Sequence, residues 1–510
     1  MWRPPPGLRH HRSDSGPQGL GRQQHATGET GGLFKLTKYE AVLTLLFVLT
    51  LPLSNPWIRG DGVGYYAWAR SILIEHRPDF TQDWLAANES FRMGRVGTNG
   101  HLTADQYTPT GHIDNHFAVG PAILWSPFLV AAHAGVLLYD HAGGRVPADG
   151  FSRPYRVAMA FGTAFYGFLG VLISFRLGRR WVSERWAFLA SLGIWFGSSL
   201  PVYMYFNPSW SHAPSAFAVA LFVWYWAATR SDRKWQQWVL LGLLGGVMMD
   251  CYYLNTILIL LPVIDSVAGY RAALSARARG IAGKLLASDA LFCLALLCAF
   301  LPTLITKKII YGSYLNFGYG EHWFWRSPAL FQVCFSSNHG LFSWTPVLIL
   351  SAAGLLLLQE RDRGLAFSLL AVFAVYLYAM GCYQDWNGIS SFGNRFFVSL
   401  TVVFVVGLAG FFQWLADVWQ VRRAAILAWG GTAALVLWNL GLIFQWGMHL
   451  IPDRGSISWR EAAVNQFAVV PTQAAQSLNS YFLHRHQLMN RIEEKDVNQI
   501  KSHNSGAPNE

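Results

Sequence analysis

Asp61 follows directly on an apolar run, in Arg59-Gly60-Asp61-Gly62-Val63-Gly64-Tyr65-Tyr66-Ala67-Trp68-Ala69-Arg70. A carboxylate held at a membrane surface can accept the proton of an incoming hydroxyl; an Asp at such a position also suits a helix cap. The residues after it read as an amphipathic helix with Tyr65, Trp68, Ala69 and Ile72 on one face, and Asp79 and Asp83 follow as further acids. Arg395 closes a Gly-rich turn at the start of another apolar run, and its planar fork matches a pair of phosphate oxygens. Lys307 and Lys308 sit at a run's end, where either can meet the same phosphate or snorkel to lipid headgroups. His212 and His339 fall in the same layer, more as hydrogen-bonding residues than as catalysts. Trp210, Trp323, Trp325 and Trp386 can stack on sugar faces or form an interfacial belt. A base, a phosphate-binding cation and an aromatic wall together suit transfer of a group from a phosphate to a hydroxyl.

The elements that must position these groups are membrane spans. The chain has 510 residues, 53% of them hydrophobic and 13% charged, with 23 Trp, which is too apolar for a soluble enzyme of this length. Its net charge of +11 is spread as short basic clusters between apolar runs, a cytoplasmic-loop pattern rather than a nucleic-acid surface. Runs of near-spanning length at 39–55, 155–176, 185–205, 212–229, 236–251, 253–268, 286–305, 342–358, 364–381, 396–416 and 424–447 predict about eleven transmembrane helices in an all-α bundle. A further run, 117–139, decides the topology. Read as a re-entrant or surface-lying pair of half-helices broken near Pro121 and Pro127, it leaves every basic loop inside: Arg176 to Arg185, Arg230 to Lys234, Arg271 to Lys284, Arg361 with Arg363, and Arg422 with Arg423. Residues 1–37 then form a disordered basic cytoplasmic tail, 38–448 the membrane domain with a large first outer loop at 56–154, and 449–510 an outer tail. The outer segments are rich in Gly, His, Asn and aromatic residues, cannot face lipid, and must fold over a cavity. The five cysteines show no CxxC spacing and read as packing residues. No phosphate-binding loop, dinucleotide fingerprint or zinc-spaced His/Cys cluster occurs, so a cytosolic nucleotide donor is not expected; no cofactor and no metal-ligating residue is singled out, and the need for a divalent metal stays open.

Five segments in order resemble the GT-C superfamily of membrane glycosyltransferases, in a bacterial form similar to protein mannosyltransferases. Asp61 to Ser71 resembles the family's D-G-x-x-Y-Y-x-x-A-R-S element, and Asn115-His116-Phe117-Ala118-Val119-Gly120-Pro121 its N-H-x-x-G-P element. Leu241 to Gly246 through Pro262 resembles a short broken helix pair. Tyr311-Gly312-Ser313, Phe317-Gly318-Tyr319-Gly320 and Gly340 to Pro346 resemble the Y-G-S…G-Y-G…G-L-F-x-x-x-P loop, and Asp385-Trp386-Asn387-Gly388 with Phe392 to Phe396 the D-W-x-G…F-G-x-R-F turn. The resemblance covers roughly 39–450. It implies sugar transfer from a polyprenyl-phosphate donor on the outer face of a bacterial inner membrane, with Asp61 as base and Arg395, Lys307 and Lys308 at the donor phosphate. Tyr65, Tyr66, Asp79, Asp83, His116, His212, Asp250, His339, Asp385 and Trp386 would line the substrate cavity. One departure stands out: where many relatives carry Arg-Pro, this chain has Met249-Asp250-Cys251, and an acid cannot take over a phosphate-binding role. Asp250 remains an intramembrane acid, a kind of residue that is usually paired and functional. A lipid or glycan transporter, or a non-catalytic envelope-assembly protein, are the readings from other classes; the inverted repeats typical of transporters are not visible.

Overall fold

The computed structural model describes residues 36–320 and 322–505; the basic N-terminal segment expected to be disordered lies almost wholly outside them. The protein is an all-α, multi-pass membrane protein, without named strands among the described residues. The first loop follows α1 (Lys38–Thr50) and holds α2 (Asp61–Arg70), the short α3 (Thr81–Leu85) and α4 (Glu89–Arg92), and α5 (Gly120–His141). The bundle continues through α6 (Arg153–Gly178), α7 (Glu184–Gly197), α8 (His212–Thr229), α9 (Trp235–Cys251), α10 (Leu260–Ser275) and α11 (Arg279–Tyr311). After the short α12 (Leu330–Phe335) and α13 (Leu341–Trp344) come α14 (Val347–Leu357), α15 (Arg363–Cys382), α16 (Thr401–Val418) and α17 (Val421–Gly447). Three more helices close the chain: α18 (Trp459–Val464), α19 (Val470–Leu483) and α20 (Arg485–Ser505).

All eleven apolar runs are helical. Seven helical stretches among the described residues are long and apolar enough to cross a membrane: α5, α6, α10 with its preceding turn, α11, α15, α16 with its preceding turn, and α17. The other runs form shorter or less apolar helices. Close packing uses small residues, as membrane helices require where lipid offers no hydrophobic drive. A Cβ on Gly242 or Gly246 of α9 would lie 2.4 Å from the Phe292 carbonyl or 2.5 Å from the Ala299 Cβ of α11. The five cysteines are free, three of them buried.

The basic loops converge at one end of the bundle. Arg176 at the end of α6 pairs with Glu40 at the start of α1 at 2.7 Å. Asp362, capping α15, holds Arg230 beyond α8 at 2.6 Å and the Trp181 indole beyond α6 at 3.2 Å. α1 and α6 therefore run antiparallel, and the loop between them starts and ends at the opposite end of the bundle.

That geometry corrects one expectation and preserves another. The 117–139 segment is not a broken pair: α5 is a single 22-residue helix with Pro121 in its first turn and Pro127 inside it. Pro127 lacks the N–H that would bond the Ile123 carbonyl, and the Ser126 hydroxyl takes that carbonyl instead at 2.6 Å, so the helix continues. Although apolar enough to span, α5 joins two points at one end of the bundle. It lies along the near half of α6, Trp125 donating to Thr163 at 2.8 Å and His133 meeting the Tyr155 hydroxyl at 2.6 Å.

The segment expected as a tail from 449 onward is also folded. Its helices return over the start of the first loop: the Tyr481 hydroxyl donates to the Leu53 carbonyl, Arg485 to the Ser54 carbonyl at 2.7 Å, and Glu493 accepts from the Ser90 N–H at 2.6 Å.

Candidate active site

α2 begins where the backbone turns sharply. Gly60 adopts φ +52°, ψ −137°, a conformation that a side chain would strain, and a Cβ there would sit 3.1 Å from the Trp210 ring. Asp61 is then the first helical residue, not the cap. Its negative charge is favoured by the helix N-terminus, and no side-chain capping bond holds it. Two glycines bring the helix down onto its neighbours: a Cβ on Gly62 would fall 1.9 Å from the Ser209 hydroxyl, and one on Gly64 2.0 Å from the Phe117 ring.

Arg395 reaches Asp61 from the far end of the sequence. Its Nη2 lies 3.1 Å from Asp61 Oδ2, with the Asp side chain 34% exposed and the Arg side chain 12%. The guanidinium carbon stands 4.4 Å above the Trp210 ring, and Nε has no hydrogen-bond partner although buried. The turn that delivers Arg395 needs Gly393 at φ +56°, and Asn394 pins it by donating to the Trp386 carbonyl at 2.9 Å. The site is thus an accessible carboxylate beside a guanidinium with an unused donor, on an indole floor.

His212 is buried beside this floor, against Tyr203 at 4.6 Å and Tyr252 at 5.6 Å between ring centroids. His339 is fully buried and stacks on Trp344 at 4.9 Å; burial, with Arg395's charge adding, pushes its imidazole down to about 4, so it is neutral near pH 7. Neither histidine serves as a ready proton acceptor at the surface.

The two lysines part company. Lys307 is fully buried and donates to the His116 carbonyl at 2.9 Å, flanked by the Tyr253 and Tyr311 rings. Lys308 points outward and donates to the Gly312 carbonyl at 2.8 Å, which removes it from the site. His116 faces a cavity of about 340 Å³ with Arg95, Asp114, Gln106 and the rings of Trp84, Phe91 and Phe117. Burial and Lys307 hold the His116 imidazole below its ordinary range against the pull of Asp114. Phe117, which lines this cavity, packs against Tyr65 at 4.9 Å and against Gly64, so the cavity adjoins α2. Nothing in the local pattern of Arg95 and Asp114 marks them; only the fold brings them together with His116 around one cavity.

Other expected residues lie elsewhere. Tyr65 stays with the site, against Phe117 at 4.9 Å and under Asp61's field, whereas Tyr66 turns into the core of the first loop and donates to the Gly150 carbonyl at 2.6 Å. Asp79 caps its own turn, accepting from the Thr81 N–H at 3.0 Å and pairing with Arg77 at 3.2 Å. Asp83 is buried and grips Arg70 through both oxygens at 2.7 and 2.8 Å. Neither acid is free to act as a base. Asp250 is buried at the end of α9, and the backbone there touches Gly120 of α5. Asp385 and Trp386 form the turn that positions Arg395, the Asp385 carbonyl accepting from the Gly388 N–H at 2.8 Å. Trp323 and Trp325 stack on each other 5.2 Å apart, half-exposed, beside Tyr383.

The contrast between the two acids is testable. Asp83→Asn leaves a buried guanidinium short of its partner and is expected to destabilise the protein by on the order of 3 kcal/mol, whereas Asp79→Asn, in a half-exposed pair, costs about 1 kcal/mol or less. Thermal unfolding of both variants in detergent checks this; equal losses would mean that the Arg70 pair does not organise the loop.

No protein-family model matches the chain, and no curated protein matches it. Among solved structures, ArnT from Cupriavidus metallidurans, bound to undecaprenyl phosphate, aligns at a TM-score of 0.44 and 13% identity over 80% of this chain and 70% of that one. The archaeal oligosaccharyltransferase AglB from Archaeoglobus fulgidus, in complex with an inhibitory peptide and a dolichol-phosphate, aligns at 0.44 and 13% identity over 90% of this chain and 56% of that one. The apo form of the Archaeoglobus fulgidus oligosaccharyltransferase aligns at 0.44 and 15% identity over 86% and 54%. This chain thus spans about half the length of the oligosaccharyltransferases.

Proposed function

We propose that this protein is a GT-C type glycosyltransferase that moves a sugar from a polyprenyl-phosphate donor to a hydroxyl acceptor on the outer face of a bacterial inner membrane. The observation that carries this reading is the 3.1 Å approach of Asp61 and Arg395, a partly exposed carboxylate and a guanidinium with a free donor, at the bundle end opposite the basic loops. Asp61 takes the proton of the acceptor hydroxyl as its oxygen attacks the anomeric carbon from the side away from the phosphate. The bond from that carbon to the phosphate oxygen breaks, the lipid phosphate leaves with the electron pair, and configuration inverts. Because base and leaving phosphate stand on opposite faces of the anomeric carbon, the Asp61–Arg395 pair opens as donor and acceptor enter, and Arg395 then meets the charge that grows on the departing phosphate, where a cation counts most. The sugar ring would occupy the polar cavity of Arg95, Asp114 and His116, with Lys307 fixing that cavity's wall. The carrier lipid would lie in the membrane, and the basic loops would face the cytoplasm.

Membranes containing the protein are expected to release free polyprenyl phosphate from at least one radiolabelled polyprenyl-phosphate sugar and to place the label on an acceptor. A transporter would instead move intact labelled lipid across the bilayer with no change in its chemistry, and that result would remove the enzyme reading.

Sidedness has its own test. In a background with Cys293 and Cys298 replaced, Ile389→Cys, in the exposed turn before Arg395, is expected to react with a membrane-impermeant thiol reagent added outside, and Ser231→Cys is not. The reverse labelling would place the site on the cytoplasmic face.

A further inference from the structure

Where α17 ends, the chain passes through His449, held in the left-handed region at φ +55°, and then Asp453, while Asp496 of α20 comes back to meet them. One ligand atom from each of the three lies within 4.8 Å of the others. The two carboxylates are each anchored through one oxygen. Asp453 Oδ2 accepts from the Ser390 hydroxyl at 2.9 Å, and Asp496 Oδ2 is bound by the Arg59 guanidinium. The second oxygens are left for the cluster: Asp496 Oδ1 stands 2.9 Å from His449 Nε2, and Asp453 Oδ1 is buried with no partner, on a residue only 8% exposed. The His449 side chain is likewise 8% exposed, with Nδ1 unpartnered.

Charge sharpens the point. Of the two buried carboxylates only Asp496 meets a guanidinium, and Asp453 has no ion pair among the described residues. Buried charges ordinarily find a counter-charge or a metal. An imidazole and two carboxylate oxygens, each carboxylate oriented through its other oxygen by a donor, is the arrangement of a metal site with its outer shell in place. All three residues line a cavity of about 590 Å³ between α17, α19, α20 and Trp210, so a further coordination position opens into that space.

We propose that His449, Asp453 and Asp496 bind a divalent cation, with zinc the favoured ion. An imidazole ligand ranks zinc above magnesium and calcium, which prefer all-oxygen sets. The ion fastens α20 to the end of α17 and, through Asp496 and Arg59, holds the two residues before Asp61. The site is separate from the Asp61–Arg395 pair and does not depend on glycosyl transfer.

The test uses the full chain, purified with any affinity tag removed. After incubation with zinc and dialysis, the wild type is expected to retain about one zinc per chain by elemental analysis. A chelator should remove it and lower the midpoint of thermal unfolding, and zinc, but not magnesium, should restore it. Asp453→Asn and His449→Gln should lose the ion and the chelator response. Because either variant could misfold, Ser390→Ala serves as the second probe: it removes only the anchor of Asp453 and should weaken zinc binding by about 10- to 100-fold. A wild type that holds no zinc, a chelator without effect on unfolding, or variants that bind zinc as well as the wild type would each reduce the cluster to hydrogen-bonded side chains without an ion.

Discussion

Asp61→Asn is expected to abolish most sugar transfer, lowering turnover of a polyprenyl-phosphate sugar by at least about 100-fold while the protein stays folded and the donor still binds. A positioned general base contributes about 10²- to 10⁴-fold, and the amide accepts a hydrogen bond but cannot take a proton. The structure limits what else the substitution changes. Asp61 is not the residue that caps α2, since Gly60 occupies that place, and the pair it makes with Arg395 is partly open to solvent. Losing its charge at a helix N-terminus and in that pair costs about 1 kcal/mol. Activity and unfolding should therefore separate, with normal size-exclusion behaviour and a large fall in transfer. Asp79 and Asp83 offer no substitute base, because one caps its own turn and the other is locked to Arg70. A well-folded Asp61→Asn protein that transfers sugar at the wild-type rate would sink the enzymatic reading.

That prediction rests on two residues singled out from the sequence, which the fold brings within 3.1 Å of each other. Helix positions were legible because apolar runs of spanning length have few alternatives in lipid, and all eleven became helices. Charge alone suggests the sidedness; the contacts of Glu40 with Arg176 and of Arg230 with Asp362 add that these loops share one end of the bundle. α5 was misread as broken because Pro127 signals a break in isolation, and the rescue by Ser126 is a local bond that no pattern announces. Adjacent residues fared worst. Tyr65 and Tyr66, like Lys307 and Lys308, are neighbours about 100° apart on their helices that meet different partners, and composition alone does not say which faces the cavity. Asp79 and Asp83, both expected along the cavity, differ only through their partners: one caps its own turn and the other is held by Arg70. Arg95, Asp114 and the returning C-terminal helices entered only through tertiary contact, since long-range proximity leaves no mark on a single sequence.

Arg395 poses the sharper question, because its pairing with Asp61 admits two roles: partner of the base, or binder of the leaving phosphate. Arg395→Lys separates them. A lysine keeps a positive charge near Asp61 but loses the planar fork, the free Nε donor and the contact with the Trp210 face. If Arg395 meets the phosphate, Arg395→Lys should lower turnover by about 100-fold, and Arg395→Ala by as much as about 1,000-fold, the range found when a preorganised donor to a developing oxyanion is removed. The loss should appear in kcat as well as in kcat/KM, since charge on the phosphate grows toward the transition state. If Arg395 only steadies Asp61, the lysine variant should work almost normally and only the alanine variant should fail. The double variant Asp61→Asn/Arg395→Lys adds an independent check. Groups acting on one transition state as a unit lose much less together than the product of their separate losses. Near-normal turnover by both single Arg395 variants would leave this residue as a helix-end anchor and move the phosphate site toward Arg95, the guanidinium that lines the neighbouring polar cavity.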